Sequence, residues 1–385
     1  AYVIAGLWQK KYREWIRPAL PWASVGGAIL GLGILMGGYW AYETLSFGGY
    51  WNWDPVENAV YVPWLILIAS LHTMIAFKKS NTALKASVIL NVATFVLILY
   101  STFLTRSGIL GNASVHSFTD LGLSGQLLIY LLTFTILSIV LIAMRWKHLP
   151  TTQKELTTYS KEFWIFIGAL TLCLAGFQVI ISTSLPVFNK IAEGLGFVSN
   201  LAPPEPEHYN KFQIWGGILV AIFSAIGQFL WWQKPDRKKI KNDLLTSLTI
   251  TLLFASLFII LSRTTGTGLI LDTSKLGKPS LSQLFSGAYV QFYTYLILFT
   301  AGVFSIVSNF AVLARLLKAR SYKLSGGAIS HIGIAMMLIG MLFSSGYSKT
   351  LTKNLTGKLR VLGETKQADD FNKNHVTLYL NQPTP

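Results

Sequence analysis

The sequence predicts an all-α polytopic membrane protein with about nine complete transmembrane helices, short loops and a truncated external C-terminal segment. Of the 385 residues, 52% are hydrophobic and only 12% are charged, about half of the ~25% charged residues usual in soluble domains. The apolar residues lie in blocks of about 18 or more, long enough to cross a bilayer. This pattern excludes a soluble enzyme, a secreted disulfide scaffold and a disordered chain. The single cysteine, Cys173, excludes a structural disulfide, a zinc cluster or an iron–sulfur site built from this chain alone.

Nine apolar segments are each about long enough to cross a hydrocarbon core of ~30 Å, the second only just. In chain order they cover residues 19–42, 60–77, 86–104, 123–144, 163–186, 213–232, 244–262, 288–313 and 326–345. These segments divide the chain into three parts. Residues 1–18 are expected to be the end of a severed segment followed by a cytoplasmic loop, residues 19–345 the helix bundle, and residues 346–385 the start of an external region. The apolar opening AYVIAGLW and the strand-like HVTLYL near the end lead us to expect a chain cut at both ends, with no signal peptide.

The segments between these helices alternate in charge. Most of the 32 lysines and arginines lie in one set: 10–17, 78–85, 145–161, 234–241 and 315–323. The positive-inside rule places this set in the cytoplasm. The opposite side then holds 43–59, 105–122, 187–212, 263–287 and the tail 346–385. The net charge of +16 therefore indicates topology in a lipid membrane, and we expect no nucleic-acid partner.

An external loop at residues 43–64, ETLSFGGYWNWDPVENAVYVPW, is unusually rich in aromatic residues. Gly48 and Gly49 allow a sharp turn or a close backbone approach. Asp54 before Pro55 favours a break followed by a capped helix start. The indoles of the loop include Trp51, Trp53 and Trp64. Such side chains form interfacial belts in any membrane protein, but this density, mixed with carboxylates, also suits a flat apolar ligand with polar edges.

Two histidines lie inside predicted transmembrane helices. His72 is six residues before Lys78, and His331 is eight residues after Lys323, which puts them roughly 9 and 12 Å inside the cytoplasmic boundary. A lone histidine at such a depth is usually a hydrogen-bonded packing residue, but two at matched depth favour a shared site. Small residues flank both of them one turn away: Ala69, Ala76, Gly327 and Ala335. Two imidazoles on opposite faces of a macrocycle are suited to axial ligation of haem iron.

The remaining polar candidates lie near the ends of the helices. His116 in segment 105–122 is either a solvated loop histidine or a ligand on the side of the aromatic loop. Arg106 is either an interfacial anchor or the partner of a ligand carboxylate. His148 lies in a basic cytoplasmic loop and His375 in the tail, where we expect both to be solvated.

The string GGYWNWDPVENAVYVPWL closely resembles the tryptophan-rich WWD signature of the haem-handling proteins, in the CcmF branch of cytochrome c maturation proteins. SLHT, FLTRSGILGNASVHSF and GGAISHIGIAM follow in the order of the family's histidine-bearing segments. The CcsA branch also carries tryptophan-rich loops, but the long match and the order of segments favour CcmF.

The resemblance implies two haem sites. His72 and His331 would ligate a haem b between transmembrane helices. The WWD loop, His116 and Arg106 would hold the external haem that is being delivered. The family's other external ligand belongs to a His-Pro-Pro segment that does not occur here, and His208 in APPEPEHYN is a weak substitute.

The resemblance further implies a membrane component of the cytochrome c haem lyase in the bacterial inner membrane, with the WWD loop on the periplasmic face. It would receive haem from the chaperone CcmE and join it to apocytochrome c, together with CcmH/CcmI-type subunits and with quinol as electron source. Two other classes stay open from the residues alone. One is a transporter whose substrate path contains these side chains, and the other is a haem b subunit that only carries electrons.

Overall fold

A computed structural model of the protein describes residues 1–44, 50–111, 114, 122–151, 160–230, 237–264 and 287–346. Within these ranges the chain forms helices and no strand. The helices are α1 (Tyr2–Trp8), α2 (Ile16–Thr44), α3 (Pro55–Ser80), α4 (Leu84–Arg106), α5 (Ser124–Arg145), α6 (Lys161–Thr183), α7 (Leu185–Gly194), α8 (Pro206–Phe229), α9 (Arg237–Thr264), α10 (Gly287–Lys318) and α11 (Gly326–Met341). Gly48, Gly49, His116, His375 and the tail from residue 347 lie outside the described residues.

Nine helices of the described ranges are long and apolar enough to cross a membrane, namely all except α1 and α7. Their outer faces carry large apolar side chains such as Trp22 and Ile139, which are 70% and 61% exposed. Surfaces of this kind suit lipid rather than water. The predicted all-α polytopic membrane fold is therefore confirmed.

Two helix bounds differ from the predicted spans at prolines. The predicted span 163–186 ends at Thr183, and a separate amphipathic helix, α7, begins at Leu185 with Pro186 in its first turn. The predicted span at 213 begins instead at Pro206, within what looked like a loop. Proline suits the first turn of a helix, since its fixed φ is helical and its missing N–H has no partner there. The longer α8 places His208 on a helix.

The helices form two groups. In the first group, α3 packs on α2, α4 and α6; in the second, α10 packs on α8, α9 and α11. The two groups meet where α6 packs on α8. The central helices α3 and α10 are the most buried of the membrane-spanning helices described.

The start of α3 confirms Asp54 as a helix cap. The Asp54 carboxylate accepts from the Val56 N–H at 2.8 Å, and Glu57 Oε2 accepts from the Asp54 N–H at 3.2 Å. This reciprocal pair is a capping box, in which each side chain satisfies a backbone donor that has no partner within the helix. The cap fixes where the aromatic loop ends and the membrane helix begins.

Glycines of α2 allow the aromatic loop and α3 to lie close against that helix. The Trp64 Nε1–H donates to the Gly27 carbonyl at 3.0 Å, and a Cβ at Gly31 would lie 2.8 Å from Trp64 Nε1. At Gly38, a Cβ would lie 2.9 Å from both the carbonyl oxygen and the ring of Tyr50. The Tyr50 hydroxyl in turn donates to the Leu35 carbonyl.

Gly38→Ala should therefore destabilise the protein, because the new methyl group meets a backbone carbonyl that cannot rotate away. Overpacking of this kind typically costs about 1–3 kcal/mol, so the detergent-solubilised variant should unfold at a lower temperature than the parent. The neighbouring Gly37→Ala is the matched control, since nothing lies within 4 Å of its Cβ position. Equal melting temperatures for the two variants would contradict the proposed close approach.

Candidate functional site

The two transmembrane histidines face each other. His72 lies on α3 and His331 on α11, and their ring centroids are 6.2 Å apart with the ring planes inclined by only 14°. The helices that carry them are not neighbours; the packing runs from α3 through α6 and α8 to α11. The two imidazoles therefore meet across the junction between the two helix groups.

Each imidazole of the pair is hydrogen-bonded through its Nδ1 atom. His72 Nδ1 is 2.7 Å from the Ile68 carbonyl oxygen. Because a carbonyl only accepts, the proton of the neutral His72 ring lies on Nδ1 and leaves the Nε2 lone pair available. His331 Nδ1 is 2.8 Å from Gln228 Nε2. An amide nitrogen donates, so in this arrangement the proton of the neutral His331 ring lies on its own Nε2. An acceptor at Nδ1, as at His72, is the usual means of orienting an imidazole that ligates a metal through Nε2. Ligation by His331 requires the Gln228 amide to turn its oxygen towards Nδ1.

The separation of the rings fits one metal ion between them. A metal–imidazole bond is about 2 Å long and the ligating nitrogen is about 1 Å from the ring centre, so two collinear ligands have centroids about 6 Å apart. The observed centroid separation of 6.2 Å is close to that spacing. Small buried residues adjoin the pair: Ala69, Ala76 and Ala335 are at most 2% exposed. The residues present therefore fit a haem iron with two axial imidazoles.

Lys161 is a residue near this pair that the sequence did not single out. It is the first residue of α6, half-buried, and close enough to both imidazoles to act on them electrostatically. The sequence alone gave no reason to separate it from the other basic residues of segment 145–161. A cation at this position is suited to a carboxylate at the edge of a ligand held by the histidines.

The aromatic loop folds into a compact cluster. The Trp51, Trp53 and Tyr61 rings contact one another edge to face, with centroids 5.7–5.9 Å apart. Trp53 also stacks on Tyr209 of α8 at 5.4 Å, and its Nε1–H donates to Asn210 Oδ1 at 2.7 Å. The backbone of Trp53 is left-handed, with φ of 55°, a conformation that persists only where surrounding contacts hold it. The loop is thus fixed on the end of α8.

Trp64 occupies a different place from the other two tryptophans. Its ring stacks on Tyr61 at 6.2 Å, while its indole N–H is bonded to the Gly27 carbonyl of α2. Trp64 therefore lies between α2 and α3 and links the aromatic cluster to the helix bundle.

A contact between Asp54 and Ser114 joins the aromatic loop to the segment that contains His116. The Ser114 hydroxyl donates to Asp54 Oδ1 at 2.6 Å. Ser114 is two residues before His116 in the sequence. Arg106 is exposed at the last turn of α4, where this segment begins.

The remaining histidines that the structure describes do not join the transmembrane pair. His208 is half-buried at the start of α8, where its ring packs against Tyr209 and Phe212 and its Nε2 is 3.4 Å from the Ser182 hydroxyl. His148 is exposed in a short 3₁₀ turn after α5, as expected for a basic-loop residue.

Comparison with known proteins gives a consistent result. The profile of the family described as Cytochrome C assembly protein matches residues 8–110. The chain is 28% identical over 353 residues to the cytochrome c-type biogenesis protein CcmF of Escherichia coli (strain K12), which covers 90% of this chain and 49% of that protein. It is 30% identical over 356 residues to the cytochrome c-type biogenesis protein CycK of Rhizobium meliloti (strain 1021), covering 89% and 47%.

A solved structure has the same fold. The cytochrome c heme lyase CcmF superposes with a TM-score of 0.61 at 21% sequence identity, over 90% of this chain and 48% of that one. The chain thus spans about half the length of the relatives that it matches.

Proposed function

The chain belongs to the CcmF-type cytochrome c biogenesis proteins, and on that premise we propose that it is the haem-binding membrane component of a cytochrome c haem lyase. In this role it receives haem from a periplasmic haem chaperone of the CcmE type. It then holds that haem while apocytochrome c is joined to it.

The pairing of His72 and His331 is the observation that carries the proposal. Two imidazoles 6.2 Å apart, each hydrogen-bonded through Nδ1, have a separation that suits two ligands of one metal ion, and this supports the proposal.

His72 and His331 would hold a resident haem b through Nε2. When bound, haem b supplies one-electron transfer, which can keep the iron of the delivered haem reduced. The chain's own residues fix the ligand geometry, exclude water by burying Ala69 and Ala76, and place the Lys161 cation near the pair. Quinol is the electron source that a membrane site of this kind would use.

The aromatic cluster would hold the second haem, which is the substrate. Trp51 and Trp53 offer aromatic area next to Asp54 at the end of the loop. His116 follows Ser114 by two residues, and covalent geometry keeps their Cα atoms within about 7 Å. Since Ser114 is bonded to Asp54, His116 can supply an axial ligand to haem on this cluster. Gly48 and Gly49 would admit the macrocycle, Trp64 would secure the cluster, and Arg106 would pair with a propionate.

The joining reaction adds each thiol S–H of a Cys-x-x-Cys-His peptide across one haem vinyl group. A C–S bond forms, the thiol proton goes to the other vinyl carbon, and nothing leaves. Both thiols come from apocytochrome c, so this chain needs no nucleophilic cysteine. That requirement agrees with Cys173, which is half-buried within α6.

The setting that follows is the bacterial inner membrane, with the WWD loop on the periplasmic side. The positive-inside pattern supports this orientation, because the basic residues Lys78 and Lys79 end α3 at the side opposite the loop. CcmH/CcmI-type subunits would present the reduced apocytochrome to the cluster.

Replacing Trp51 and Trp53 together by alanine should impair capture of chaperone-borne haem and leave haem b bound. The physical reason is separation, because the aromatic cluster lies at the N-terminal end of α3 whereas His72 lies near its C-terminal end. Haem transfer from purified haem-loaded chaperone would be measured beside the haem b content of each variant.

Trp22→Ala is the matched control, since this indole is 70% exposed on the outer face of α2, and it should capture haem normally. Equal loss of both haems from the double variant would show that the loop is only a folding element.

A further inference from the structure

The two transmembrane histidines differ in what holds their Nδ1. The partner of His72 is the backbone carbonyl of Ile68, which can only accept. The partner of His331 is the side-chain amide of Gln228, which in this structure turns its Nε2 towards Nδ1. After a half-turn the same amide would accept through Oε1. The tautomer of His72 is therefore fixed by the helix itself, whereas that of His331 depends on one side chain.

The surroundings of Gln228 bring its amide to this position. Gln228 is a half-buried polar residue in the last turn of the apolar helix α8. Gly327 of α11 lies directly beside it, since a Cβ there would be 3.4 Å from Gln228 Nε2. The missing side chain at Gly327 thus leaves room for the amide between α8 and α11, one turn before His331.

The two orientations of the amide have opposite consequences for metal binding. With Nε2 towards the ring, as in this structure, the amide donates to Nδ1, and the proton of the neutral imidazole stays on its own Nε2. With Oε1 towards the ring, Nδ1–H donates and the imidazole Nε2 lone pair can bind iron. A half-turn of the amide exchanges the two, so the same side chain can permit or oppose ligation.

We propose that Gln228 is a positioning residue for His331: its amide oxygen accepts from Nδ1–H when iron is bound, and so sets both the affinity for haem b and its midpoint potential. This inference rests on the proposed function, because it needs His331 to be an axial ligand. A stronger acceptor at Nδ1 makes the imidazole a better electron donor to iron, which favours the oxidised form and lowers the potential.

Two substitutions test the proposal in opposite directions. Gln228→Leu removes the acceptor at similar size, and should weaken haem binding about 10- to 100-fold and raise the midpoint potential. Gln228→Glu keeps an acceptor, and should retain haem with a potential below that of the parent. Haem would be titrated into the purified full chain for affinity, and the potential taken from a spectroscopic redox titration.

Gln213→Leu is the control on the same helix. The Gln213 amide donates to the Ala175 carbonyl at 3.0 Å and to Gln178 Oε1 at 2.8 Å, four turns from Gln228, so its loss should leave the affinity and the potential unchanged.

If Gln228→Leu bound haem with the affinity and the midpoint potential of the parent, the inference would be overturned and the proposed function would stand. A potential in Gln228→Glu at or above that of the parent would overturn it equally, even if Gln228→Leu failed to fold. Failure of the parent chain to bind haem at all would instead refute the proposed function, and this inference with it.

Discussion

Replacing either His72 or His331 with alanine should remove most of the stably bound haem b from the purified protein. The two ring centroids are 6.2 Å apart and the ring planes are nearly parallel, so an iron held between the rings depends on both. Loss of one axial ligand also opens the site to water and leaves the remaining imidazole without its counterpart. Haem content per protein, measured by absorbance after purification in detergent, should fall several-fold in each variant.

His148→Ala should keep the parental haem content, because His148 is exposed in a turn after α5. If both the His72→Ala and the His331→Ala variants kept all of their haem, the two histidines would not be the axial ligands, whatever the result for His148→Ala.

His116→Ala should abolish cytochrome c maturation in the full-length protein while haem b stays bound. The delivered haem needs axial ligands on the side of the aromatic cluster, and His116 is two residues from Ser114, which is bonded to Asp54. Added imidazole should restore part of the activity by filling the vacated coordination position. Maturation would be followed by covalent haem staining of a reporter cytochrome, with haem b content measured in parallel.

His208→Ala distinguishes the alternative ligand. His208 lies beside Tyr209, on which Trp53 stacks, so it is the other histidine near the cluster. If His116→Ala were fully active and His208→Ala inactive, we would conclude that His208 and not His116 ligates the delivered haem.

The membrane fold was predictable because hydrophobic length and charge alternation are local properties of the sequence. The start of α3 was predictable for the same reason, since Asp54, Pro55 and Glu57 form a capping signal within four residues. The start of α8 was missed. Three prolines in APPEPE suggested a loop, yet Pro206 fits the first turn of the helix.

The tertiary partners of the site could not be predicted from the sequence. Trp53 stacks on Tyr209, 156 positions away, and His331 meets Gln228 across α8 and α11. The first contact depends on how the two helix groups meet and the second on how α11 packs on α8, and hydropathy encodes neither. A glutamine in an otherwise apolar helix was the available signal for Gln228, since a buried amide needs a partner. The hydrogen bond from the Trp64 indole N–H to the Gly27 carbonyl was likewise not predictable, because the position of Trp64 in the signature does not indicate its partner.

The absorption spectrum of the purified protein, oxidised and then reduced with dithionite, tests the central claim most directly. We expect a low-spin b-type spectrum with two imidazole ligands, present in the parent and in the double Trp51/Trp53 variant and absent from the His72 and His331 variants. A protein that purifies without haem and acquires no such spectrum when haem is added would contradict the account.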